Sequence, residues 1–258
     1  MRLEGRAVLI TGGGTGLGRA LALAAAGAGA DVAVNYSRSA TEAEETVDAA
    51  QKLGVRAVAL RATVADPAQA ERLVDEAERA LGPLFALVNN AGVTRGVPFA
   101  DLEGVMLADW DAALGVNLVG AWQCARAAAL RMRARGEGAV LNVASDSAVS
   151  LSGSSIPYVV SKAGLIALTR CLAKALHPTV RVNAIAPGWM ETRWLDLNLA
   201  QSQREWIRSG GARVVALSDV AALAIELLRN DGITGQVVVI DAGDGLGGTT
   251  GAPPSTTE

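Results

Sequence analysis

The 258-residue chain has one histidine, two cysteines and few aromatic side chains, 3% in all. A single histidine, His177, cannot build a histidine-based metal centre, and no close Cys/His cluster exists. No metal is therefore expected at a catalytic centre. His177-Pro178 reads instead as a helix end, where the ring can meet free carbonyls. The cysteines, Cys124 and Cys171, fall in helix-like segments and read as reduced, small core or interface residues of a cytoplasmic protein. No apolar run approaches the roughly 20 residues of a membrane span. The opening "MRLEGRAVLITGG" enters a strand-like run at once, without a signal-peptide pattern. The formal net charge of −3 gives no electrostatic reason to expect a nucleic acid or an anionic membrane as partner.

What the chain does have is apolar residues, half of the total, enough for a large core. They are arranged with a rhythm. Short β-branched runs at 7–11, 31–35, 55–61, 84–89, 138–145, 180–186 and 236–240 alternate with Ala/Leu/Glu/Arg-rich stretches near 16–29, 41–53, 67–81, 109–135, 157–176 and 218–229. The first six strand candidates are continuously apolar rather than alternating, as expected of parallel strands covered on both faces. Repeated strand–helix alternation predicts right-handed crossovers and one α/β, doubly wound, Rossmann-like sheet. Thr41 with Glu44 fits a capping box, and Asp66-Pro67 fits an N-cap followed by proline at the first helical position. Residues 1–243 read as one dinucleotide-binding and catalytic domain. The tail, 244–258, is rich in Gly, Thr and Pro and reads as a mobile end.

The stretch "TGGGTGLG" (11–18) directly follows the first strand and opens a helix. There Gly12 permits a tight turn, Gly16 lets backbone approach a pyrophosphate, and Gly18 allows close helix–strand packing. Thr15 and Leu17 lie between them. The helix N-terminus offers free N–H groups and its positive dipole end to phosphate. The second strand ends in "NYSRS" (35–39). An NAD site would want a carboxylate here for the ribose 2′-hydroxyl. Tyr36, Ser37 and Arg38 stand there instead, and a hydroxyl and a guanidinium accept a 2′-phosphate. This favours NADP(H) as cofactor.

One of only two tyrosines, Tyr158, lies four residues before Lys162, on the same helix face. An unperturbed phenol, with a pKa near ~10, is a poor proton donor–acceptor at neutral pH. An ammonium ~4 Å away is worth ~4 kcal/mol at an effective dielectric of ~20, enough to draw the phenol toward neutrality. The spacing thus predicts a tyrosine general acid tuned by lysine.

Taken together, "TGGGTGLG", "NNAG" (89–92), Asn117 in "GVNLVG", Ser145 in "LNVAS", "YVVSK" (158–162) and "APGWMET" (186–192) make the chain resemble the short-chain dehydrogenase/reductase family over about residues 3–243. The resemblance implies a seven-stranded parallel sheet, NAD(P)-dependent carbonyl–alcohol redox chemistry on a small molecule, and a homo-oligomer, dimer or tetramer. It implies that Tyr158 is the acid–base, and that Lys162 lowers its pKa and binds the nicotinamide ribose. Ser145 would hydrogen-bond the substrate carbonyl, and Asn117 would hold a water of the proton relay. Asn89 would sit near the adenosine, Ala91 and Gly92 would line the cofactor cleft, Thr192 would bond the carboxamide, and Pro187-Gly188 would turn the chain over that ring. The segment 189–213 would be the substrate lid.

The chain departs from the family pattern in four places. Thr63-Val64 stand where an aspartate often meets the adenine. Thr15 stands where NADP-preferring members often carry a basic residue. The stretch 93–110 is slightly long, and 209–221 is degraded from the usual pattern. "NNAGVTRG" resembles the 3-oxoacyl-carrier-protein reductases of the family, so reduction of a ketone or 3-oxoacyl group is expected. "VNYSRS" also resembles bacterial glucose dehydrogenases, which keeps an oxidative sugar or secondary-alcohol dehydrogenase open; a non-catalytic dinucleotide sensor ranks below both. Three of the five tryptophans, Trp189, Trp194 and Trp206, fall in the lid. If they face the substrate rather than dock the lid, the pocket is apolar and wide.

Overall fold

A computed structural model describes residues 2–199 and 201–246. The first half of the chain runs β1 (Ala7–Ile10), α1 (Gly16–Gly27), β2 (Asp31–Tyr36), α2 (Ala40–Gln51), β3 (Ala57–Arg61), α3 (Pro67–Leu81), β4 (Leu84–Asn89), α4 (Leu107–Leu114) and α5 (Ala121–Arg135). The second half adds β5 (Gly138–Val143), α6 (Ser147–Ser150), α7 (Ile156–Leu176), β6 (Val180–Pro187), α8 (Arg193–Asn198), α9 (Gln201–Trp206), α10 (Leu217–Arg229) and β7 (Val237–Ile240). All seven strands pair in parallel, in the order β3-β2-β1-β4-β5-β6-β7. This is the doubly wound sheet that the alternation of runs predicts.

Alternate residues of each strand feed opposite faces. Val8 and Ile10 of β1 pack with Leu17 and Leu21 of α1, Val47 of α2 and Val220 of α10. Ala7 and Leu9 pack with Leu73 of α3, Met132 of α5 and Leu172 of α7. With both faces covered, β1, β4, β5 and β6 are buried at every position. The end strands β3 and β7 are only half-buried, since each has one neighbour.

Local signals hold in part. Asp66 caps α3 by accepting from the Gln69 amide at 3.0 Å, with Pro67 first in the helix. The expected capping box of Thr41 and Glu44 does not form. Helix α2 starts at Ala40, with Ser39 in the flanking position, so Thr41 already lies inside the first turn. The single helix expected over 109–135 is three pieces, because the ladder widens to a π-helical turn at Gly115–Gly120. Gly120 packs there against Val64, whose Cγ2 would stand 2.8 Å from an added Cβ. The tail expectation falls mostly outside the described residues; Asp244–Leu246 form a short 3₁₀ turn.

The order of strands reverses between β1 and β4. The loops after their C-terminal ends border a crevice, the place where doubly wound sheets hold ligands.

Candidate active site

At that crevice lies a cleft of about 570 Å³. Thr11, Gly12 and Asn90 build its floor. The Thr11 hydroxyl accepts the Asn90 and Ala91 amides, both at 3.0 Å, and the Asn90 side chain donates to the Thr11 and Gly12 carbonyls at 2.9 and 3.0 Å. Gly12 has φ +62° and its α-carbon faces Ala91, whose Cα would be 3.0 Å from a Cβ; no other residue suits both demands. Gly18 packs directly against the Gly12 backbone and the Asn90 amide. Thr15 flanks the start of α1 without capping it through its side chain, which leaves that helix end unfilled by protein. Thr15, Gly16, Leu17 and Gly18 all line the cleft.

The far end is lined by Tyr36, Ser37, Arg38 and Ser39. A small recess beside it is formed by Tyr36, Ser37, Arg38, Ala40 and Arg61. Arg61 is a residue that sequence reasoning missed. It ends β3 directly beside Tyr36 in register, so only the strand pairing brings it to Arg38. Among the described residues neither Arg38 nor Arg61 has a carboxylate partner. Thr63, Val64 and Asn89 do not line the cleft. The Thr63 amide donates to Gln69, Val64 is buried, and the Asn89 amide donates to Ala121 and Asn142 across the sheet. Asn90, not Asn89, faces the crevice.

The near end holds the proposed chemistry. Ser145 leaves the end of β5, while Tyr158 and Lys162 stand on successive turns of α7, whose N-cap is Ser155. Ser145 donates to Asp146 Oδ1 at 3.1 Å. Burial pushes the Tyr158 phenol up to about 12; a hydrogen bond with Ser145 opposes the rise and the Asp146 charge adds to it. Burial brings the Lys162 ammonium down to about 8. Burial, rather than the lysine charge, sets the direction of the Tyr158 shift. The Lys162 Nζ donates to the Val143 carbonyl at 2.7 Å and lies 5.8 Å from the phenol ring centre, so burial of both groups dominates. Asn117 is also committed. Its amide donates to the Val93 carbonyl and to Ser161, both at 2.9 Å, and accepts the Val93 amide at 2.8 Å. It tethers the 90–94 loop to α7.

The lid closes the cleft from above. Trp189 and Trp206 pack around Leu195, Ile207 and Ala212 and dock the lid, and Trp189 also lines the cleft. Trp194 turns inward, with its ring 5.9 Å from that of Tyr158. Thr192 sits over Gly16, 3.5 Å from where a Cβ would be, and Pro187 and Gly188 border the same space. Arg193 reaches across to Glu42 of α2 at 2.7 Å, joining the lid to the far half of the molecule. The pocket is not uniformly apolar. Trp194, Leu195 and Leu197 face Thr94, Asp146, Ser147 and Ser154.

A parallel sheet in this order, a glycine turn at its switch point, and serine, tyrosine and lysine at one end of the cleft define a dinucleotide-dependent oxidoreductase. The family model for short chain dehydrogenases matches residues 6–206, and the chain belongs to that family. It is 40% identical over 245 residues to a Streptomyces violaceoruber protein assigned as ketoacyl reductase 2 of granaticin polyketide synthase, covering 93% of this chain and 96% of the relative. It is 32% identical over 245 residues to a 3-oxoacyl-[acyl-carrier-protein] reductase of Staphylococcus aureus, covering 92% of this chain and 97% of the relative. Among solved structures, a short chain dehydrogenase of Burkholderia cenocepacia in complex with NADP superposes with a TM-score of 0.82 at 35% identity, covering 93% of this chain and 98% of the other. No helix among the described residues is long and apolar enough to cross a membrane.

Proposed function

We propose that this chain reduces a ketone or 3-oxoacyl group to a secondary alcohol, with NADPH as its preferred cofactor. The observation that carries the reading is geometric: Ser145, Tyr158 and Lys162 meet at one end of a cleft whose other end is lined by the glycine turn and Arg38. A phenol there can pass its proton to an oxygen held by Ser145, which is what carbonyl reduction requires. The ketoacyl reductase relatives favour reduction over the sugar dehydrogenase alternative.

The residues fit the cofactor. The unfilled start of α1 and the glycine turn suit a pyrophosphate, and Arg38 with Arg61 suits a 2′-phosphate. When bound, NADPH supplies the hydride. Ser145 would hold the carbonyl oxygen, Tyr158 would donate its proton there, and Lys162 would hold the ribose beside it. Thr192 would orient the carboxamide, and Trp194 would cover the bulk of the substrate. The NADP complex of a relative and the ketoacyl reductase assignments of others support this reading. The catalytic unit is proposed to span 1–243 with the lid at 189–213. A cytoplasmic setting suits the two unpaired cysteines. Turnover of a series of ketones and 3-oxo esters with NADPH, beside glucose with NADP⁺, tests the function. Reduction that strengthens with substrate size is expected; efficient glucose oxidation without ketone reduction overturns it.

A further inference from the structure

We propose that Asp146 sets the substrate specificity of this site, selecting ketones that carry a hydroxyl or ammonium group on the carbon next to the carbonyl and turning away those in which that carbon is itself a carboxylate. The inference rests on the carbonyl-reduction reading and narrows it.

Asp146 follows Ser145 directly and lines the same part of the cleft. Its Oδ1 accepts from the Ser145 hydroxyl at 3.1 Å and from the Ser147 amide at 2.7 Å. These two bonds fix the carboxylate. Oδ2 takes no hydrogen bond from the described residues. It faces Gly188, where an added Cβ would be 3.6 Å away, so no side chain from the end of β6 covers it. One oxygen thus holds the serine hydroxyl, whose single O–H would turn to the carbonyl when substrate binds, and the other takes no donor from the described residues beside the same cleft.

Among the described residues no cation pairs with this charge. The Lys162 ammonium is bonded to the Val143 carbonyl, and the Arg213 guanidinium to the Ala242 carbonyl. The nearest charges acting on Asp146 are Asp241 and Asp244, of its own sign. Asp241 is spent on the Gly243 and Gly245 amides, and Asp244 accepts the Arg213 amide. A partly buried carboxylate without its full set of donors is costly, and a donor on the substrate removes that cost. A second anion would increase it. Capping α6 explains Oδ1 alone, and an asparagine would serve that purpose equally. The hydroxyls of Thr94, Ser147 and Ser154 continue the polar floor, while the lid face is apolar. The fitting substrate is polar beside its carbonyl and apolar beyond it.

Four probes of similar size separate the effects: 2-hydroxyacetophenone, 2-aminoacetophenone, propiophenone and phenylglyoxylate. Each is assayed with NADPH on wild type, Asp146→Asn and Asp146→Ala. In wild type, kcat/KM for the hydroxy and amino ketones should exceed that for propiophenone by about tenfold or more, and phenylglyoxylate should be poorest. Asp146→Asn should abolish the bias against phenylglyoxylate, and Asp146→Ala should bring the hydroxyl-to-ethyl ratio to about one. A purely structural role would lower all four rates together. Unchanged ratios in both variants overturn the inference, even if absolute rates fall. Propiophenone turnover in wild type, lost in Tyr158→Phe, checks the reduction reading separately. If no ketone turns over, that reading fails, and binding of the four probes to NADP⁺-loaded protein, followed by tryptophan fluorescence, decides the inference. The same order of affinities supports it, and equal affinities overturn it.

Discussion

Tyr158 and Lys162 differ in how they can be tested. Tyr158→Phe keeps the ring against Trp194 and removes only the proton. Turnover should fall by at least ~10², the usual share of a general acid, while NADPH binding stays close to wild type. Lys162 predicts a pH effect instead. Its folded pKa of about 8 lies below the ordinary value of 10.5, so its charge is present below pH 8 and lost as pH rises through it. The rate of reduction should descend over that interval. Lys162→Arg, which stays charged, should be slower but should lose this descent; a descent at the same pH would assign it to another group. Not every residue of this site was legible in the sequence. Tyr158, Lys162 and Ser145 stand out because residue type and spacing carry their chemistry. Arg61, Asn90 and Asp146 do not, since nothing local distinguishes them from surface or capping residues until strands bring them to the cleft. The direction of the Tyr158 shift is not legible in the sequence for a related reason. Spacing along a helix reports who is near, but burial depends on the lid and on β5.

At the scale of elements, the strand runs and crossover helices were readable because period and length separate them. The interruption of the helix at Gly115–Gly120 was not, as it answers a contact with Val64 from a distant loop. Strand ends decide the cofactor. Parallel pairing of β2 with β3 sets Tyr36 beside Arg61, so Arg38 and Arg61 flank one recess from two strands. Each single change to alanine should weaken NADPH binding roughly tenfold or more, as for a hydrogen bond to a charged group, with little effect on NADH. Equal loss for both cofactors, measured by titration, would place the guanidinium elsewhere. The lid divides its tryptophans in the same element-wise manner. Trp206 serves docking, Trp194 serves the cleft and Trp189 does both, a division the sequence alone leaves open.

At the scale of the whole molecule, Val119, Trp122 and Leu130 near α5 and Val160 on α7 are exposed at about two-fifths or more of their surface. Large exposed apolar groups on neighbouring helices suit a partner face, and we read these helices as the contact between copies of the chain. Trp122→Glu should lower the molar mass in solution, measured by light scattering; an unchanged mass would assign the contact elsewhere. The reversal of strand order that opens the cleft also governs how the chain reaches its fold. The central pair joins Ala7 to Leu84, so β1 waits for three crossovers to emerge before its second neighbour exists. Distant pairings of this kind slow folding, because loop closure precedes the contacts that reward it. A nascent chain that stops before β4 has one edge of its first strand unpaired and aggregation-exposed. The same topology that provides a place for the ligand makes early synthesis the vulnerable interval for this protein.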